Sequence, residues 1–69
     1  MNTFKEAYQA KTALKMKLSN YGWYRSMAVI SDENGMSYCV LVNVSKVDNN
    51  VRKVVPTVFE GVSVKTEAE

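Results

Sequence analysis

A chain of 69 residues makes one small domain, and a domain of that size buries only about 60% of the surface its unfolded chain exposes, so its stability margin is thin. One cysteine and no histidine exclude an intrachain disulfide and remove the commonest metal ligand, two of the usual supports of small domains; association with a partner subunit is the remaining one. The formal net charge of +2 is too mild to mark a nucleic-acid or membrane partner by itself.

The expected organisation is a single α+β domain over residues 1–69, with residues 1–2 and 67–69 frayed. Thr3 followed three residues later by Glu6 is a capping box and predicts a helix over residues 4–19. At 100° per residue Phe4, Ala7, Ala10, Leu14 and Leu18 fall on one side, and Lys5, Glu6, Gln9, Thr12 and Met16 on the other. Lys11 sits at the edge of the apolar stripe, where its stem can pack while its charge reaches water. Lys15 and Lys17 complement the negative end of the helix dipole. The helix is expected to cover one face of a sheet; a basic amphipathic helix for a partner or a membrane surface is the other reading. Asn20-Tyr21-Gly22 ends it, with Gly22 or Asn20 in the left-handed cap.

Residues 24–30 and 36–44 are β-prone and flank Ser31-Asp32-Glu33-Asn34-Gly35. Asn-Gly is the strongest short hairpin signal, because both residues tolerate positive φ, so the two runs are expected to pair antiparallel. The second run anchors the prediction. Met36, Tyr38, Val40, Val42 and Val44 alternate with Ser37, Cys39, Leu41 and Asn43, and such period-two alternation marks a strand. One face is apolar and the other half apolar, which suits the middle of a small sheet.

Beyond the hairpin, Val51, Val54 and Val55 have one-turn helical spacing ahead of Pro56. Proline disfavours helix at the residue before it, so a short helical turn is predicted over residues 49–54. Residues 57–60 read as an extended connector and Gly61 as a turn or bulge. Val62, Val64 and Thr66 alternate with Ser63, Lys65 and Glu67 and predict a third strand. The architecture is thus a helix on a three-stranded sheet, in the order α-β-β-(short α)-β. The connection to the third strand is long enough for a parallel crossover, and an antiparallel meander satisfies the same pattern.

No catalytic constellation emerges. Cys39 is the only thiol and has no histidine to activate it; mid-strand, it reads as a buried, inert small residue. Most carboxylates fall on solvated faces, loops or the tail. Asp32-Glu33-Asn34 lacks calcium-loop spacing. Gly22, Gly35 and Gly61 are too scattered for a phosphate loop. The chain is therefore expected to be no enzyme and to hold no cofactor or metal. No run approaches about 18 apolar residues, the least that spans a bilayer as a helix, and no secretory signal pattern opens the chain. With a single reduced cysteine, the expected location is the cytoplasm.

Ala10-Lys11-Thr12-Ala13-Leu14 with Leu18, Val29 before the Asn-Gly turn, Val40-Leu41-Val42-Asn43-Val44, Val55-Pro56 and Gly61-Val62-Ser63-Val64 together resemble a set of small uncharacterised bacterial proteins. Those have a helix, a Gly-turn hairpin and a closing Val-Pro … Gly-Val-Pro-Val strand; a similar segment precedes the catalytic domain of some trypsin-like bacterial proteins. The resemblance implies an αβββ fold and no activity. Ser63 stands where that pattern has proline, and Met27-Ala28 replaces a glycine-rich first strand. The element order is also similar to the BON domain, a phospholipid-associated or interaction module, as an analogy of topology that carries no function.

The expected function is protein–protein contact as a homodimer, through a free strand edge or the sheet face the helix leaves open. Tyr21, Trp23, Tyr24, Arg25, Met27, Cys39 and Leu41 are the candidate surface. One alternative is a single-stranded nucleic-acid module stacking bases on Tyr21, Trp23 and Tyr24 beside Arg25, with Lys11, Lys15 and Lys17 for phosphates. The other, carried by the resemblance, is a regulatory partner of a protease or other enzyme.

Overall fold

The computed structural model describes residues 3–31, 35 and 37–68. The elements are α1 (Phe4–Leu18), β1 (Tyr24–Ser31), β2 (Tyr38–Val44), α2 (Asn49–Val54), β3 (Val58–Phe59) and β4 (Val62–Ala68). The fold is α+β: the N-terminal helix packs on a mixed four-stranded sheet in the order β1-β2-β4-β3.

Helix α1 begins at the capping box. The Thr3 hydroxyl accepts the Glu6 N–H at 3.2 Å, and the Thr3 N–H donates to Glu6 Oε1 at 2.9 Å. Its buried stripe is Ala7, Ala10, Leu14 and Leu18, spaced by three and four residues as a single helix face requires. Phe4 does not join that stripe and is 53% exposed. The first turn overhangs the start of β2, so the ring meets the edge of Tyr38 at a centroid distance of 5.5 Å and stacks with Tyr8 at 6.1 Å. The expected left-handed cap at Gly22 or Asn20 does not form, since neither residue takes positive φ. Consecutive turns satisfy the last carbonyls instead: the N–H groups of Ser19, Tyr21 and Tyr24 donate to the carbonyls of Lys15, Leu18 and Tyr21.

Strands β1 and β2 form the expected antiparallel hairpin. Met27 stands opposite Val42, Ala28 opposite Leu41 and Ile30 opposite Cys39. Gly35 takes φ +70°, the left-handed region glycine enters freely. The remaining turn residues Asp32, Glu33 and Asn34 lie outside the described residues, as do Met36, Met1, Asn2 and Glu69. Near its start β1 carries a bulge. Tyr24 pairs with Val44 and Ser26 with Asn43, so Arg25 is the extra residue.

Asp48 caps α2 by accepting the Val51 N–H on its carboxylate at 3.0 Å. Val55 is already extended ahead of Pro56, as the steric effect of proline on its predecessor demands. This short helix carries the chain over, and β4 then runs parallel to β2, with Val64 beside Val40. The sheet therefore takes the crossover route and not the meander.

Two expectations need correction. Residues 57–60 are not simply a connector: Val58 and Phe59 pair with Ser63 and Val62 as a fourth strand. The loop between them is Glu60-Gly61, both at positive φ, 51° and 77°, the pattern of a two-residue hairpin turn whose twist matches its strands. Nor are Glu67 and Ala68 a frayed tail. Parallel β2 extends to Val44, so these residues find partners in Asn43 and Val44.

Apart from Cys39, the buried apolar residues described lie on one face of the sheet. Val40, Val42 and Val44 are fully buried there with Val62 and Val64, against Ala7, Ala10, Leu14 and Leu18 of α1 and Val51 and Val55 around α2. Both helices therefore sit on the same side. The residues of opposite parity point the other way, and among the described residues no helix or strand covers them.

Candidate interaction surface

By register the open face carries Ala28 and Ile30 from β1 and Cys39 and Leu41 from β2, with Val58 of β3 at its far margin. Ser26, Asn43, Ser63, Lys65 and Glu67 edge this apolar patch. Asn43 Nδ2 donates to Ser26 Oγ at 3.1 Å, tying β1 to β2 beside the bulge. Cys39 is only 3% exposed. Its side chain is short and sits low on the central strand, with Ile30 on one flank and the start of β4 on the other. Leu41, Ala28 and Ile30 are half-buried, and Val58 is exposed.

The seven predicted surface residues separate into four groups. Cys39 and Leu41 both point away from the helices, but only Leu41 offers surface: it is half-buried, whereas Cys39 is buried, matching its reading as a small inert residue. Met27 faces the other way: it stands opposite Val42 and packs against the core beneath α1. Tyr24, opposite Val44, also packs against the core, and burial raises its phenol above the ordinary tyrosine value. Tyr21 and Trp23 stack at 4.9 Å with an interplanar angle of 18°, closing the junction of α1 and β1. Trp23 leans on the core, whereas Tyr21 is 42% exposed. Arg25 is exposed at the bulge. The aromatic cluster is thus a plug with one exposed ring and not a splayed platform.

Sequence reasoning missed Ala28, Ile30 and Val58 on the open face. The signal for the first two was the alternation of β1, but assigning its faces requires the hairpin register. It also missed the exposed aromatic group at the start of α1, where Phe4, Tyr8 and Tyr38 meet and Lys11 Nζ lies 4.7 Å from the centre of the Tyr8 ring. At the opposite end of α1 a half-open cleft of about 370 Å³ is lined by Leu14, Leu18, Tyr21, Val54, Pro56 and Phe59. Lys17 flanks it, its Nζ 5.4 Å from the centre of the Phe59 ring, a cation–π distance.

Ordered chemistry is sparse at all of these places. Among the described residues no three Cys, Asp or Glu side chains come together as a metal site. None of the described buried side-chain polar atoms lacks a hydrogen-bond partner, so none is aimed at a missing ligand. Among the described residues no helix is long and apolar enough to cross a membrane. No family model matches the chain, and neither does any curated protein or solved structure.

Proposed function

We propose that this chain is a non-catalytic protein–protein interaction module that works as a homodimer, in the cytoplasm. One observation carries the reading: among the described residues both helices lie on one side of the sheet, and no helix or strand covers Ala28, Ile30 and Leu41 on the other. A sheet buries its apolar face against a second layer when it can, and so short a chain gains stability from a partner subunit. A second copy is the simplest partner, because closed two-fold symmetry is the commonest arrangement of soluble oligomers.

Sedimentation over a wide concentration range, in low and high salt, tests this. A dimer that persists in high salt is expected, since apolar burial is not screened. A monomer throughout contradicts it. The second reading, single-stranded nucleic acid stacked on the exposed ring of Tyr21 near Lys15 and Lys17, draws on that one exposed ring in the cluster. It predicts oligonucleotide binding that falls steeply with salt, and no binding at low salt ends it.

A further inference from the structure

We infer that the joining surface is the outer edge of β1, and that two copies pair these edges antiparallel about a two-fold axis perpendicular to the sheet, each Ala28 opposite its own counterpart. This rests on the homodimer reading and names the surface that makes the dimer.

The two edges of the sheet are built differently. At one end β3 is two residues long and pairs only Val62 and Ser63, and the outer side of β4 beyond it carries the charges of Lys65 and Glu67. At the other end β1 offers eight residues, and among the described residues no strand pairs with its outer side. Edge strands of stable monomers are blunted by charge, by proline, by bulges or by brevity, and in β1 the bulge and the charge of Arg25 are confined to its first residues. Residues 26–31 of β1, Ser-Met-Ala-Val-Ile-Ser, contain neither a charge nor a proline. The alternate N–H and C=O groups that face outward along this edge are open to water, and another strand can replace that water in a continuous row.

The edge is also complementary to itself. Residues directly opposite in an antiparallel pair share a face. Two-fold pairing therefore keeps the core side with the core side only when opposed positions differ by an even number. Centring on Ala28 meets this condition, with Met27 opposite Val29 and Ser26 opposite Ile30. The only charge in β1, Arg25, then falls opposite Ser31 at the end of the ladder, so no like charges meet. The open faces of the two copies merge, and Ala28, Ile30, Cys39 and Leu41 form one broader apolar strip. Helix α1 packs chiefly on β1 and β2. With strands about 4.8 Å apart, pairing brings the two α1 axes to roughly 10 Å, the ordinary spacing of packed helices.

The decisive experiment places single cysteines at Ser26, Ala28 or Ile30 in a Cys39→Ala background and follows oxidation to the disulfide dimer. Facing Ala28 positions fall within the Cα range a disulfide spans, while equivalent positions two residues away are displaced by about 13 Å. Ala28→Cys is expected to cross-link at least about 10-fold faster than Ser26→Cys or Ile30→Cys. Equal rates, or none at Ala28, overturn the inference. Sedimentation of Ala28→Lys and Leu41→Lys separates it from the reading beneath it. Weakening of the dimer by at least about 10-fold in Ala28→Lys alone supports the edge. Weakening in Leu41→Lys alone overturns the edge but leaves a homodimer joined by its open faces. A wild-type chain that is monomeric throughout overturns both. Should Ala28→Lys fail to fold, the cysteine series decides alone.

Discussion

One strand, β2, shows both environments of this molecule. Val40, Val42 and Val44 are fully buried beneath two helices. Cys39, Leu41 and Asn43, which alternate with them, face the side that no described helix or strand covers. The valine row is stiff, dry and tuned for a fixed partner inside the chain. The other row mixes a thiol, a leucine and an amide, and the amide is held by Ser26. The difference teaches that one face of this sheet is packed by the chain's own helices, whereas the other is left without cover by the described residues.

If that division is right, equal truncations on the two sides must differ. Leu14→Ala, under the helix stripe, is expected to lower stability by about 3 kcal/mol, a large part of what a small domain possesses. Leu41→Ala on the open face is expected to cost well under half of that in dilute solution, as an incompletely buried side chain loses less transfer energy. Urea denaturation of the two variants checks the contrast, and equal losses erase it. Asp48→Ala removes the cap that holds α2 against the covered face and should cost about 1 kcal/mol in the same assay. Gly61→Ala probes the blunt edge. Nothing lies within 4 Å of the added methyl, so only the φ of +77° is strained, and a loss of roughly 1 kcal/mol is expected.

The smallest effect concerns acid. The hydrogen bonds from the Thr3 backbone and hydroxyl hold the Glu6 carboxyl below its ordinary value. A carboxyl lowered in the folded state stabilises it at pH above the unfolded value, and that contribution disappears as pH falls through the lowered one. Helicity of α1 should therefore weaken slightly in acid, and Glu6→Gln should flatten that dependence in a circular-dichroism titration.

The comparison also explains what the sequence could and could not reveal. Local signals worked where local chemistry decides. Thr3 and Glu6 announced α1, Asn34-Gly35 the hairpin, and Pro56 the end of α2. The errors fall where distant partners decide. Met27 belongs to the covered face because the register sets it opposite Val42, and a hairpin loop of several residues does not declare its register. Phe4 fits the helical stripe by angle, but the sheet does not extend beneath it. β3 was hidden because its turn uses Glu60 at positive φ, a conformation that side-chain-bearing residues rarely adopt. The choice of a parallel β4 depends on where α2 docks, which valine spacing does not specify. The open face was foreseen as half apolar through Cys39 and Leu41, whereas its partners Ala28 and Ile30 needed the register.

The claim that matters most is that the chain pairs with another copy of itself, along the outer edge of β1. Sedimentation equilibrium of the unaltered protein tests it most directly. The account predicts a mass of twice the 7.8 kDa chain, reached at low protein concentration and insensitive to salt. A mass of one chain up to the highest concentration attainable would contradict it, and the open face would then await a different partner.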